Sequence, residues 1–384
     1  MSGEALPHGL PPTACKRTSA LRRVGQLADA RWLRVPGPEG CIGAFRLEPG
    51  LPIIVEAVTG RAMTLVPGDL FLATAGHRES TRWVAGGVPE CGLAPDGIYW
   101  VLSESGLTGD LFGSSPAAKG HLGRARYLGA ACRPDGAPLR LADFAMTLPA
   151  GGGDQGAPVH VVVGTSSEVG KTTAAIAILR ALRHAGCGTV AALKATGTPS
   201  IGEIALYEDF GAAPAMDCLD FGMASTYPSG RTDIAGPFDL ALDLCFSRPA
   251  DAVLIECGGD LLGANVPVFL ERLLLRRPDP RVVLAAADAL GASAAVQALR
   301  GMGIAVTLAT GPCTDTAVMA RRTELLCGIP AVSMARLDEV RGQADWPHHP
   351  SPSGLGPQSR PNPEEEANLI PTASPPVPAP ASAL

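Results

Sequence analysis

The sequence predicts an α/β protein in which a doubly wound, mostly parallel sheet follows a small β-rich domain. Three observations carry that expectation. The chain has 384 residues, more than the ~100–200 of a usual single domain. Hydrophobic residues make up 46 % and charged residues 18 %, enough apolar surface for a core and too few charges for a solvated, unfolded chain. The local pattern also changes near residue 150, from short turn-bounded β-rich runs to apolar strands alternating with helical stretches.

In chain order, Arg17 to about Leu33 reads as a helix. Strands follow at Cys41–Leu47, Pro52–Val58, Leu70–Ala75, Ile98–Leu102 and Arg126–Ala130, bounded by turns such as Pro67-Gly68-Asp69 and Pro95-Asp96-Gly97. These assign residues 1–150 to the β-rich domain, and the glycine-rich run Ala150–Gly156 to a linker. Val159–Val163, Thr189–Leu193, Ala252–Ile255, Arg281–Ala286 and Ile304–Leu308 are apolar enough to be buried central strands, each followed by a helical candidate. They define a second domain over residues 157–342. From 343 to 384, Pro and Ser clusters, Glu364-Glu365-Glu366 and a proline-rich ending cannot bury enough surface to order themselves.

Composition narrows the function. A formal net charge of −6 argues against a nucleic-acid partner, which usually meets a basic face. Ten cysteines lie scattered without the spacing of a zinc or redox site. Met1–Pro12 lacks the apolar stretch of a secretory leader, and no window reaches the ~18 uncharged apolar residues of a membrane span. A soluble cytoplasmic protein is the expectation. Of 31 basic residues only Lys16, Lys119, Lys171 and Lys194 are lysine, so a lysine here marks a place where a compact ammonium serves and a planar guanidinium does not.

Directly after the strand at Val159–Val163 stands Gly164-Thr165-Ser166-Ser167-Glu168-Val169-Gly170-Lys171-Thr172-Thr173, then a helical stretch. Glycines let backbone N–H groups close on phosphate oxygens, the helix N-terminus adds partial positive charge, Lys171 reaches the outer phosphates and Thr172 holds magnesium. The plain alternative is a glycine-rich connecting turn. A second cluster ends the next strand at Leu193-Lys194-Ala195-Thr196-Gly197-Thr198. Strand ends on this side face the ligand crevice, so Lys194 reaches either a terminal phosphate or an anionic substrate, or is a surface lysine. A third closes the strand Ala252–Ile255 with Glu256-Cys257-Gly258-Gly259-Asp260, where Glu256 is placed to hold magnesium or to cap a helix. Asp209 is a further metal candidate whose plain reading is a solvated helix acid.

These clusters resemble dethiobiotin synthetase, whose loop GTDTxVGKT, lysine-bearing strand end and VEGAGG segment are similar to GTSSEVGKT, KATGT and IECGG here. The resemblance covers about Val159 to Leu308 and extends to the cobyrinic-acid amide synthases. It implies a P-loop NTPase domain with a magnesium–ATP site in which Glu168, Lys171, Thr172, Lys194 and Glu256 take the family positions. Ser166 stands where that family has Asp, and Asp260 where it has a small residue. Thr165 is not the lysine of the chromosome-partitioning ATPases. Ala309-Thr310-Gly311-Pro312 offers no Asn-Lys-x-Asp guanine reader, which favours ATP over GTP.

The expected function is magnesium–ATP-dependent activation of a small-molecule carboxylate or carbamate as its phosphate, followed by amide-type bond formation, with Lys171, Lys194 and Glu256 as the chemical participants. The alternatives are a nucleotide-dependent switch or delivery NTPase and a small-molecule kinase. Gly222–Arg231 is either a substrate-recognition segment or a surface loop. Asp69, His77, Arg78, Glu79 and Arg82 read as a salt-bridged surface rather than a catalytic group. The resemblance implies a homodimer with the substrate near the interface, and the front domain offers an alternative cover.

Overall fold

The structure is a computed structural model that describes residues 4–5, 15–25, 27, 30–80, 82–118, 122–151, 156–227 and 234–337. The tail expected to stay unordered and part of the Gly222–Arg231 segment lie outside the described residues. In the second half, β1 (Val159–Gly164), β2 (Val190–Thr196), β3 (Ala212–Met216), β4 (Ala252–Cys257), β5 (Arg281–Ala285) and β6 (Val306–Thr310) pair in the order β3-β2-β4-β1-β5-β6. All five pairings are parallel. Every residue of β1, β2 and β4 is buried, as apolar strands covered on both faces require.

Helices connect these strands: α1 (Lys171–His184), α2 (Ile201–Asp209), α3 (Ala235–Phe246), α4 (Val266–Leu274), α5 (Ala289–Gly301) and α6 (Ala317–Cys327). Their starts follow capping chemistry. Ser200 accepts from Glu203 N before α2, and Asp288 accepts from Gly291 N before α5. The chain runs outward through β2 and β3, returns to place β4 beside β1, then continues on the far side with β5 and β6. Register sets Glu256 opposite Val162 on one side and opposite Lys194 on the other. Three motifs distant in sequence therefore end level on neighbouring strands.

The front half builds a ten-stranded sheet, mostly antiparallel, around Ile42–Leu47, Leu70–Ala75 and Arg124–Cys132. A separate hairpin pairs Ile53–Glu56 with Ala62–Leu65. The expected helix over Arg17–Leu33 is not there. Lys16–Arg17 pairs with Leu70–Ala75, Ser19–Leu21 makes a single 3₁₀ turn, and Arg31–Arg34 is a strand. Leu21, Val24 and Leu27 satisfy their apolar spacing by packing into the front core without forming a helix. Strands at Ala62–Leu65, Val84–Gly87, Leu107–Ser114 and Ala212–Met216 add to those expected.

The two sheets meet within one compact unit, Met1–Arg341. The segment after β3 makes the joint. Leu219 and Ala224 belong to the front core, Asp217 and Asp220 form ion pairs with Arg22, and Asp220 also pairs with Arg23. Ser225 Oγ donates to His77 O at 2.6 Å.

Candidate functional site

The loop between β1 and α1 is shaped by two left-handed residues, Glu168 at φ 63° and Gly170 at φ 86°. Glycine adopts that conformation freely, whereas a Glu held there is a local strain that the surroundings must maintain. Here they do: Trp83 Nε1 donates to Glu168 Oε1 at 2.6 Å, and Arg82 lies 3.1 Å from Glu168 Oε2. Both partners come from the front sheet.

Lys171, the first residue of α1, is buried and donates from Nζ to Ser166 O at 2.8 Å, spanning the loop. Burial lowers its pKa, and the nearby Glu256 carboxylate opposes that shift. Thr172 Oγ1 donates to Glu256 Oε1 at 3.1 Å, and Tyr207 OH donates to Glu256 Oε2. Burial and the adjacent carboxylate push the Tyr207 hydroxyl well above the ordinary tyrosine pKa. Lys194 is ion-paired with Glu203. Glu203 and Tyr207 stand four residues apart, one face of α2, so a single helix holds both the strand-end lysine and the strand-end acid.

Glycine at position 258 has a steric reason. A Cβ there would sit 2.3 Å from Thr196 O, because β2 and β4 close on each other through Gly258 N donating to Thr196 O and Thr196 Oγ1 donating to Gly258 O. Asp260 accepts from the Leu262 and Gly263 amides, so it organises the turn before α4.

One cavity of about 390 Å³ collects these parts. Ser167, Glu168, Gly170, Lys171, Thr172, Thr173, Lys194 and Glu256 line it from the residues expected for the site, while Gly164, Thr165, Ser166 and Val169 build the loop behind it. Thr165 Oγ1 accepts from Ala287 N at 3.3 Å, tying the loop to the end of β5. Asp209 is not brought in. It is exposed at the end of α2, because the helical phase that turns Glu203 and Tyr207 inward turns residue 209 out.

Sequence reasoning missed Glu203, Tyr207 and the front wall. Arg78, Ser80 and Trp83 line the same cavity. Of Asp69, His77, Arg78, Glu79 and Arg82, read as a salt-bridged surface, Asp69 and Arg82 do form ion pairs, with Lys16 and Glu168, while Arg78 faces the cavity. Tyr227 joins them. Burial raises its hydroxyl to a pKa of about 12, and Ser225 and Thr226 beside it are fully buried. The described part of the 222–231 segment is therefore no surface loop. A Tyr and two hydroxyl residues following Gly-Met-Ala was the available signal.

The Thr172 hydroxyl and Glu256 carboxylate, 3.1 Å apart, are the hard oxygen donors that magnesium prefers, so these residues fit that ion. Among the described residues no group of three or more His, Cys, Asp or Glu is arranged to hold a metal by itself. No helix among the described residues is long and apolar enough to cross a membrane.

No protein-family model matches the chain, and no curated protein matches it. Similar solved structures include the signal recognition particle receptor FtsY from Elizabethkingia anophelis, at 22 % identity over 47 % of this chain and 59 % of that one, TM-score 0.32. Another is the cell division protein ftsY from Thermotoga maritima, at 21 % identity over 50 % and 66 %, TM-score 0.32. A third is a duf1611 family protein from Anabaena variabilis, at 16 % identity over 56 % and 63 %, TM-score 0.32. The chain spans less than two thirds of each. The likeness to dethiobiotin synthetase rests on the three motifs alone. With strand, phosphate loop, helix and companion acid in this order on a parallel sheet, the chain has a P-loop NTPase fold behind a β-rich front sheet.

Proposed function

We propose that this protein binds a magnesium nucleoside triphosphate at the Gly164–Thr173 loop and transfers or hydrolyses its terminal phosphoryl group in the cavity under the front sheet. One observation carries the reading: Lys171, Thr172, Lys194 and Glu256, from three separated motifs, line one cavity. Its volume suits a small molecule.

In this reading the loop amides and Lys171 neutralise the phosphates, and Thr172 with Glu256 holds magnesium. The ion, when bound, supplies charge stabilisation at the phosphoryl oxygens. Lys194 leaves Glu203 for a phosphate or acceptor oxygen, since an anion in the cavity competes for the same ammonium. The loop and its cations position and stabilise charge, the dominant contribution in phosphoryl transfer. Room beside Gly197, Thr198 and Tyr227 suits a small acceptor, which supports activation of a carboxylate or carbamate and equally serves a small-molecule kinase. ATP is preferred over GTP in this reading because no guanine-reading motif follows β6. In this reading the front sheet supplies Arg78, Ser80 and Trp83 as cover within one chain, the alternative to a homodimer with the substrate near its interface.

A second reading, a nucleotide-dependent switch, draws support from Glu168. A phosphate-loop residue gripped by Arg82 and Trp83 gives the front sheet a direct handle on the state of the loop.

Calorimetry with ATP and GTP tests the common core. Lys171→Ala should lose most triphosphate affinity, and Glu256→Gln should bind but not turn over. Unchanged affinity in the first variant would remove the nucleotide reading. Turnover that rises with small acids and amines marks the acceptor chemistry, and turnover indifferent to them but sensitive to added protein marks the switch.

A further inference from the structure

The front wall of the cavity carries a cation, Arg78, that has no ion-paired carboxylate among the described residues. Arg78 lies on the short strand Arg78–Glu79, which pairs antiparallel with Val84–Gly87 at the end of the front sheet. Its guanidinium donates to Leu102 O, a neutral carbonyl, and among the described residues no carboxylate forms an ion pair with it. Burial accordingly lowers its pKa, with Tyr227 and Glu104 only partly opposing that cost. Arg78 is half-buried, and a partly desolvated charge without an ionic partner carries a cost that an anion in the cavity would offset.

The cavity's own carboxylates do not supply that anion. Glu168 is taken by Arg82 and Trp83, Glu203 by Lys194, and Glu256 by Thr172 and Tyr207. Arg78 and Lys171 are thus the two cavity cations whose hydrogen bonds go to backbone carbonyls only. Both line the cavity, one from the front sheet and one from α1. The turn that carries Arg78 is fastened to the phosphate loop itself, since Arg82 and Trp83 hold Glu168, three residues before Lys171.

We propose that Arg78 binds the non-bridging oxygens of the nucleotide's terminal phosphoryl group, acting within the same chain as the arginine that completes the phosphate site. This rests on the nucleotide reading above. A planar fork of donors matches two phosphoryl oxygens at once, and the charge it neutralises is the one that develops on the transferring group. The requirement for a terminal phosphate distinguishes Arg78 from Lys171 and the loop, which also serve a diphosphate.

The test uses the full chain. Binding of β,γ-imido ATP and β,γ-imido GTP is compared with binding of ADP and GDP in the wild type, Arg78→Met and Arg78→Lys. Arg78→Met should weaken the triphosphate analogues about tenfold or more and leave the diphosphates within about twofold, and Arg78→Lys should regain part of the loss. Equal losses for di- and triphosphates, or no loss for either, would overturn the assignment while leaving the nucleotide reading intact. A wild type that binds none of the four would overturn both. If Arg78→Met does not fold, Arg78→Lys decides alone, because it keeps the charge and drops the fork: it should still discriminate less than the wild type between tri- and diphosphate.

Discussion

Two seams join the same pair of sheets, and they differ in every physical respect. At the first, Arg22 spans Asp217 and Asp220, Arg23 adds to Asp220, and Leu219 and Ala224 pack into the front core. Both aspartate side chains are 1 % exposed and that of Arg22 is 12 %. At the second, on the cavity rim, Arg82 meets Glu168 with side chains 57 % and 47 % exposed. The buried seam has no water to replace a lost partner, whereas the rim does. The contrast separates what fixes the front sheet in place from the exposed contact on which the switch reading rests.

The sharpest way to break this contrast is Arg22→Ala. It leaves buried Asp217 with the Leu219 amide and buried Asp220 with Arg23 and the Asp217 amide, and removing one member of a buried charge cluster typically costs about 3–5 kcal/mol. Urea unfolding of the full chain should show a loss of that order. A change below ~1 kcal/mol, the size of an exposed pair, would place this seam in the same class as the rim.

Glu56 is intermediate and belongs to the front hairpin. Its carboxylate accepts from Ser19 Oγ at 2.8 Å, Ser200 Oγ at 3.1 Å and Ile201 N at 3.2 Å. It therefore answers the free amides and the positive end of α2 from the front hairpin. Glu56→Ala should cost about 1–2 kcal/mol, the value of a strong helix cap, and should speed hydrogen exchange at the first turn of α2. Unchanged exchange there would mean that Ser200 alone caps the helix.

Legibility divides along the same line as the seams. That the Gly164–Thr173 loop, Lys194 and Glu256 meet at one cavity was readable because each motif sits within a few residues of the strand that aims it, and the strands run level. Ala212–Met216 was not, since a short edge strand carrying Pro214 lacks the long apolar run of its neighbours. Asp209 was taken for a metal candidate because composition does not give helical phase; the inward positions are 203 and 207. The front wall was unreadable for a different reason. Trp83 and Glu168 are separated by 85 positions, and a dense local run of charges gives no hint that a hairpin will lay it over a loop so far along the chain.

Glu168→Gln is the smallest perturbation and the one that sharpens the comparison most. An exposed ion pair is worth ~0–1 kcal/mol, so the variant should unfold within about 1 kcal/mol of the wild type. The left-handed backbone at residue 168 is unchanged by this substitution, which isolates the charge. Trp83 Nε1, now facing an amide oxygen instead of a carboxylate, should alter its emission, and the emission change that a β,γ-imido nucleotide produces in the wild type should shrink. A stability loss of several kcal/mol would make the rim a second structural seam and remove the physical basis for the switch. Full stability with an unaltered nucleotide-induced emission change would show that the front sheet follows the loop through contacts other than the Glu168 pair.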